Sequence, residues 1–227
     1  ADFITIFLKF FFIKKKVFWN IRNTTPQLEW SSLSTIFLGK ICALFSYIVP
    51  NKIITCSKTA LVQHSNYGYC KKKFKLIFNG FNPYSFKPNL KNRRLNRKKL
   101  KIDNNDFVIG CFARYHPQKD HKTLIDSFNN FSIKYYKSKL LLIGENLPKD
   151  ISKKNKNIIV LPSTKKINQM YNVIDLFILP SIGYEGFPNV LAEALLSKVY
   201  CLATNVGDSK KILGKYGMIF EKKNSDD

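Results

Sequence analysis

The chain has 227 residues, 45% of them hydrophobic, which is enough for one complete domain and part of a second, each with an apolar core. Lys and Arg number 38 against 15 Asp and Glu, so the formal net charge is +23. Such a charge suits a polyanion-binding protein, but it also suits a chain from an AT-rich genome, in which Lys, Asn, Ile and Phe are all abundant. The five cysteines are odd in number and contain no C-x-x-C pair, which argues against a disulfide framework and a zinc site and favours a reducing cytoplasm.

The first apolar run, Ile4 to Ile13, is interrupted by Lys9 and is too short to span a bilayer. Its basic residues, Lys14 to Lys16, follow the run instead of preceding it, which is the wrong order for a signal peptide. We therefore predict an ordinary helix of a domain whose beginning is missing.

Residues 1–88 are predicted to form the C-terminal part of one domain. The predicted strands and helices are Lys16 to Trp19, Ser34 to Tyr47, Lys52 to Cys56, Lys58 to His64 and Phe74 to Phe78. Turn residues from Asn79 onward place the domain boundary near Pro88. Residues 89–105 are strongly basic, and we predict a solvated connecting helix there rather than a nucleic-acid-binding arm.

Residues 106–227 alternate short apolar runs with segments of helical spacing. The predicted strands are Phe107 to Phe112, Leu140 to Ile143, Ile158 to Leu161, Leu176 to Leu179, Tyr200 to Ala203 and Met218 to Phe220. The predicted helices are Lys122 to Tyr136, Lys165 to Ile174, Val190 to Ser197 and Ser209 to Leu213. This alternation predicts an α/β fold, a doubly wound parallel sheet with helices on both faces.

The most informative segment, Leu179 to Ala194, lies where a buried strand ends and a helix begins, which is where open α/β sheets bind their ligands. Asn189 is a good N-terminal cap, so the first N–H groups of the helix, at Asn189, Val190 and Leu191, should face the ligand crevice. Glu185 stands before this helix and Glu193 about one turn inside it, so the two carboxylates can meet one ligand at different points.

The segment Glu185 to Ala194, E-G-F-P-N-V-L-A-E-A, resembles the signature of the family-4 retaining GT-B glycosyltransferases, also called glycosyl transferases group 1. A second stretch, Arg114 to Asp120, is similar to the family's R-x-x-x-Q-K-D/G loop. Weaker similarities include Leu142-Ile143-Gly144 and Val206-Gly207-Asp208. The resemblance implies a Rossmann-like nucleotide-sugar donor domain at 106–227, preceded by part of a Rossmann-like acceptor domain.

The resemblance also implies roles for individual residues. Arg114 and Lys119 should clasp the diphosphate of the donor, whose negative charge grows as the nucleotide departs. Glu193 should accept hydrogen bonds from the ribose hydroxyls. Glu185, with the backbone N–H groups from Gly186 to Val190, should hold hydroxyls of the transferred sugar. The residues expected to bind the donor are Gly186, Phe187, Pro188, Asn189, Val190, Leu191 and Glu193. Because the chain has no Asp-x-Asp motif, we expect no metal and no cofactor.

The expected function is therefore retaining transfer from a UDP- or GDP-sugar to a saccharide or lipid-linked acceptor in surface polysaccharide synthesis. We expect a cytoplasmic location, with peripheral contact to an anionic membrane as a by-product of the positive charge. Two alternatives stay open: a catalytically silent nucleotide-sugar-binding remnant, favoured by the missing termini, and a basic nucleic-acid-binding protein. The last predicts aromatic residues interleaved with cations on one surface, whereas most aromatics here fall in core-like positions.

One position departs from the family's pattern. After the helix that carries the second Glu, the family has Gly-x-Pro, whereas this chain has Lys198-Val199-Tyr200. If the turn requires a positive φ at Lys198, the substitution costs about 1 kcal/mol of stability without touching the donor site.

Overall fold

The structure is a computed structural model, and it describes residues 2–12, 14–29 and 31–222. Two compact units divide the chain. The first contains the residues up to Gly80 together with Tyr184–Pro188 and Val206–Asp208, and the second contains the remainder. Ile13, which ends the predicted first run, and residues 223–227, which end the predicted donor domain, lie outside the described residues.

The first unit holds a parallel sheet of three strands in the order β1-β2-β3. The strands are β1 (Phe18–Ile21), β2 (Lys52–Thr55) and β3 (Phe74–Leu76). The helices are α1 (Asp2–Phe11), α2 (Leu33–Phe45) and α3 (Lys58–Tyr67). Trp19 is fully buried and donates its indole N–H to Thr5 Oγ1 at 2.7 Å, so the core of this unit joins β1 to α1.

The second unit holds a parallel sheet of six strands in the order β6-β5-β4-β7-β8-β9. The strands are β4 (Phe107–Phe112), β5 (Ser138–Ile143), β6 (Ile158–Leu161), β7 (Leu176–Leu179), β8 (Tyr200–Thr204) and β9 (Gly217–Phe220). The helices are α4 (Leu90–Lys99), α5 (His121–Lys134), α6 (Ile151–Lys154), α7 (Ile167–Met170), α8 (Asn189–Leu196) and α9 (Ser209–Leu213). From β4 the chain adds β5 and β6 on one side of the sheet. It then adds β7, β8 and β9 on the other side of β4, so the strand order reverses between β4 and β7.

Both faces of this sheet are covered. Along β4, Val108 and Phe112 belong to one apolar cluster, while Ile109 and Cys111 belong to another. Successive side chains of a strand point to opposite faces, so the two clusters lie on opposite sides of the sheet. The predicted doubly wound α/β class is confirmed.

The basic helix α4 corrects one sequence-based expectation, since part of its charged face is buried. The Arg97 side chain is only 1% exposed and binds Asp175 Oδ2 at 2.7 Å, while Arg93 binds Asp175 Oδ1 at 2.6 Å. Arg97 also donates to four backbone carbonyls, those of Val173, Asp103, Asn104 and Asp106. The guanidinium group has five donors in a fixed plane, which lets it satisfy carbonyls that a lysine could not reach together.

The domain boundary near Pro88 stays a prediction for the whole protein. Within the described residues the second unit begins at Phe81, because Phe86 packs against its core, with its ring 6.0 Å from that of Tyr171. The predicted helix Lys165 to Ile174 is shortened to the single turn Ile167–Met170, after which the chain turns and buries Tyr171.

The turn after α8 has the geometry that the family's glycine would favour. Val199 N–H donates to Ala194 O at 3.0 Å and Lys198 N–H donates to Leu195 O at 2.9 Å, which is the Schellman arrangement. Lys198 has φ 59°, the left-handed conformation in which a Cβ atom is crowded. The condition for the predicted strain, a positive φ at Lys198, is therefore met.

We predict that Lys198→Gly stabilises the protein by about 0.5–1 kcal/mol, because the strain at Cβ is relieved. Urea unfolding followed by circular dichroism measures the change. Lys198→Ala is the matched control, since it removes the charge but keeps Cβ and should give no gain. An equal gain in both variants would assign the effect to charge instead of backbone conformation.

Candidate functional site

The candidate site of the second unit lies at the point where the strand order reverses. The loop after β4 contains Arg114 and Lys119, and the loop after β7 leads into α8. Ile182 N–H donates to Gln118 O at 2.9 Å, which ties the two loops together. In open α/β sheets a ligand binds in the crevice at the carboxyl ends of the strands beside such a reversal.

The backbone on either side of Arg114 is fixed by the segment that follows β5. Ala113 N–H donates to Ile143 O at 2.9 Å, and Tyr115 N–H donates to Glu145 O at 2.7 Å. Gly144 permits this close approach, because a Cβ on it would lie 1.9 Å from Ala113 O. The Arg114 side chain is exposed, so it can reach a ligand from a fixed backbone.

We predict that Gly144→Ala destabilises the protein by about 1–3 kcal/mol, because the added Cβ must push the Arg114 loop away from β5. Chemical denaturation measures this loss. Gly80→Ala is the matched control, since a Cβ at Gly80 meets nothing within 4 Å. If the two variants are equally stable, the close packing at Gly144 is not a constraint on the loop.

The turn that carries Lys119 is a single helical turn, Pro117–Lys119, whose first N–H groups are partly satisfied by His116. The next residue, Asp120, adopts the left-handed conformation with φ 42° and caps α5, accepting from Thr123 N–H at 3.4 Å and Thr123 Oγ1 at 2.8 Å. This explains why Asp or Gly suits the end of the motif: both tolerate positive φ. Burial lowers the pKa of His121 to about 4, so this histidine is neutral at pH 7 and adds no positive charge beside Lys119.

Helix α8 begins at Asn189, within one residue of the predicted start. Leu191 and Ala194 are buried and anchor the helix on the core, while Asn189 is exposed. The first turn of an α-helix presents backbone N–H groups and the positive end of the helix dipole, and both favour an anion.

Glu193, one turn into α8, is half-buried. Tyr171 Oη donates to Glu193 Oε2 at 2.8 Å. Burial raises the pKa of Glu193, and the hydrogen bond from Tyr171 opposes that rise because it favours the charged carboxylate.

The segment Tyr184–Pro188, which contains Glu185, belongs to the first unit. A Cβ on Gly186 would lie 2.0 Å from Arg22 O, so only glycine allows this approach. On its other side, Gly186 O accepts from Asp208 N–H at 2.9 Å, and Gly207 has φ 53°. The backbone beside Glu185 is therefore held from two directions.

Asp208 itself caps helix α3. Its carboxylate accepts from Lys58 N–H at 2.8 Å, Thr59 N–H at 2.9 Å and Thr59 Oγ1 at 2.7 Å. These N–H groups have no partner within the helix, and a buried carboxylate satisfies them and interacts favourably with the helix dipole. The sequence contains the Val206-Gly207-Asp208 stretch, but only the structure shows that it joins α3 to the Glu185 segment.

The predicted site residues thus fall into two groups, and their ligand-binding roles stay predictions. The second unit holds Arg114, Lys119, Asn189, Val190, Leu191 and Glu193, and the first unit holds Glu185, Gly186, Phe187 and Pro188. Sequence reasoning missed Tyr171, which lay in a predicted amphipathic helix and gave no polar signal. Among the described residues no group of three or more His, Cys, Asp or Glu could hold a metal ion. In that same part of the chain, no helix is both long and apolar enough to cross a bilayer.

Comparison with curated proteins identified glycosyltransferases as relatives. The chain is 33% identical over 143 residues to the capsular polysaccharide biosynthesis glycosyltransferase CapM of Staphylococcus aureus, covering 59% of this chain and 37% of CapM. It is 25% identical over 142 residues to the putative glycosyltransferase EpsF of Bacillus subtilis, and here too it spans only 37% of the relative's length.

Among solved structures, HepE of Anabaena in complex with UDP and glucose superposes with a TM-score of 0.85 at 19% identity, covering 99% of this chain and 63% of HepE. This likeness confirms the predicted GT-B type of α/β fold. The family model described as glycosyl transferases group 1 matches residues 106–227. This match covers more than half of the chain, so the protein belongs to the glycosyl transferases group 1 family.

Proposed function

We propose that the whole protein is a retaining glycosyltransferase that moves a sugar from a nucleoside-diphosphate sugar to a saccharide or lipid-linked acceptor. The observation that carries the proposal is the placement of Arg114, Lys119 and the start of α8 on the loops that flank the reversal between β4 and β7. Two cations and a helix N-terminus at one crevice make a site for a diphosphate.

The diphosphate of the donor is assigned to the second unit. The departing nucleoside diphosphate gains negative charge in the transition state, and we propose that Arg114 and Lys119 stabilise it. We propose that this neutralisation replaces a metal ion and that the reaction needs no cofactor. We assign no protein base, because the leaving phosphate can accept the proton of the acceptor hydroxyl.

The nucleoside and the sugar are assigned to the two glutamates. Glu193 would accept hydrogen bonds from the ribose hydroxyls, and Glu185, with the backbone from Gly186 to Val190, would hold the transferred sugar. HepE binds UDP and UDP-glucose, which supports a UDP-sugar donor, and a GDP-sugar is the other candidate. The anomeric configuration of the product, determined by NMR, tests retention; an inverted product would contradict it.

We propose that the reaction serves surface polysaccharide synthesis at the cytoplasmic face of the membrane, as supported by the relationship to CapM and by five free cysteines among the described residues. Helix α1 exposes Phe7 and Phe11, by 56% and 82%, and Lys14 to Lys16 follow it. Apolar groups beside lysines favour an anionic lipid surface. Co-sedimentation with phosphatidylglycerol vesicles that is unchanged in Phe7→Ser/Phe11→Ser would overturn this membrane contact.

The donor site is tested by thermal-shift titration of this chain with UDP, GDP and ADP. Stabilisation by one nucleotide, by about 2.7 kcal/mol at one hundred times its Kd, would identify the base. The Arg114→Ala/Glu193→Ala variant should lose this stabilisation, while Lys98→Ala, an exposed cation on α4, should keep it. Stabilisation by oligonucleotides alone in low salt would favour a nucleic-acid-binding protein instead.

Catalysis requires a separate measurement on the full-length protein. Turnover of the donor identified by the titration would support an enzyme. Binding of the nucleotide without any turnover would favour the catalytically silent remnant.

A further inference from the structure

Tyr171 is a polar residue in an apolar environment. It follows helix α7 and is fully buried, at 0% exposure. Its ring lies 6.0 Å from that of Phe86, 4.9 Å from that of Phe112 and 5.8 Å from that of Phe177. These three rings pack around the phenol ring. A phenylalanine would fit the same aromatic cluster, so packing alone does not account for the hydroxyl group.

The hydroxyl group points to the carboxylate of Glu193. Tyr171 Oη lies 2.8 Å from Glu193 Oε2 and 3.3 Å from Val190 O. Burial, with the negative charge of Glu193, raises the pKa of Tyr171 far above its ordinary value, so the phenol keeps its one proton. The charged carboxylate is the stronger acceptor and the shorter contact, so the proton is donated to Oε2.

The two carboxylate oxygens of Glu193 therefore differ in their hydrogen bonds. Oε2 is occupied by Tyr171, while within the described residues no donor lies within hydrogen-bonding distance of Oε1. The backbone of Glu193 is fixed by α8, and its neighbours Leu191 and Ala194 are anchored in the core. The remaining freedom of the side chain, its rotation about the χ angles, is restricted by the hydrogen bond from Tyr171.

We propose that Tyr171 is a positioning residue that orients the Glu193 carboxylate, with Oε1 presented to the hydroxyls of the donor ribose. The inference rests on the proposed function, in which Glu193 binds the ribose. Tyr171 does not touch the ligand. Its hydrogen bond restricts the Glu193 side chain before the donor binds, so Glu193 loses less conformational entropy on binding. It therefore sets the selectivity of the site for nucleotides that carry ribose hydroxyls.

The test uses the full-length protein and two pairs of nucleotides, UDP with 2′,3′-dideoxy-UDP and GDP with 2′,3′-dideoxy-GDP, measured by isothermal titration calorimetry. Whichever of UDP and GDP the wild type binds, we expect it to bind that ribonucleotide more tightly than its dideoxy analogue. Tyr171→Phe should weaken that ribonucleotide about tenfold, a loss of about 1.4 kcal/mol, and leave its dideoxy analogue unchanged. Equal weakening of both nucleotides, or no weakening, would overturn the positioning role.

Two further variants separate this inference from the proposed function. Glu193→Ala should remove the preference for the ribonucleotide, and in its background Tyr171→Phe should have no further effect. If Glu193→Ala keeps the preference, the ribose role of Glu193 is wrong and the role of Tyr171 falls with it. Glu193→Asp shortens the side chain so that it cannot reach both partners, and it should reproduce the selective loss even if Tyr171→Phe does not fold.

Discussion

Lys119→Ala in the full-length protein is expected to lower kcat for sugar transfer by about 10²–10³-fold. Lys119 lies on the turn after β4, beside the reversal of strand order, where the departing diphosphate is proposed to bind. The charge on that phosphate is greater in the transition state than in the bound donor, so loss of the Lys119 ammonium should affect kcat more than KM. Steady-state kinetics at saturating donor measures the effect.

Lys122→Ala is the matched control for this experiment. Lys122 is an exposed cation three residues further along, in the first turn of α5, and its removal should leave kcat unchanged. Arg114→Lys provides a second comparison, because it keeps the charge but loses the planar donor pair, and it should retain part of the activity that Arg114→Ala loses. A Lys119→Ala enzyme with wild-type kcat would show that the diphosphate is bound elsewhere.

The second large effect concerns stability. Arg97→Ala is expected to lower the free energy of unfolding by about 3–5 kcal/mol. The variant leaves Asp175 with one fewer cation and removes one donor from each of four carbonyls, at a position where the Arg97 side chain itself is only 1% exposed. A buried polar group without a partner costs its full desolvation energy, which exceeds the net contribution of the hydrogen bond it once made.

Urea unfolding followed by far-UV circular dichroism measures this loss, with Lys98→Ala as the control. Lys98 is the next residue on α4 and is exposed, so its replacement should change stability by no more than about 0.5 kcal/mol. The two tryptophans, Trp19 and Trp30, precede residue 81, so tryptophan fluorescence reports mainly on the first unit. Equal unfolding midpoints for Arg97→Ala and Lys98→Ala would show that the buried arginine contributes nothing to stability.

Local patterns predicted most of the fold. The six strands of the second unit lie within two residues of their predicted ends, because runs such as Phe107 to Phe112 are apolar on both faces and bounded by turn residues. Helix α8 begins where Pro188 and Asn189 predict a start. The left-handed backbone at Lys198 was also predictable, since the family's glycine marks the position of a Schellman turn.

The candidate site was predictable from the same kind of information. Strand ends are local, and the carboxyl ends of parallel strands meet at one edge of a sheet. The loop carrying Arg114 and Lys119, and the start of the helix carrying Glu193, could therefore be placed there before the strand order was known. The resemblance of Glu185 to Ala194 to a family signature supplied the expected roles, which physical pattern alone could not.

The sequence by itself determined the strands of the second unit, the α/β class and the residues proposed to bind a donor. Only the tertiary structure showed which distant residues support them. Asp208 contacts Thr59 across 149 positions, Arg97 contacts Asp175 across 78, and Tyr171 contacts Glu193 across 22. None of these pairs has a periodicity or motif of its own. Hydrophobic spacing records which side of an element is buried, whereas the partner of a buried polar atom depends on how the chain brings separate elements together.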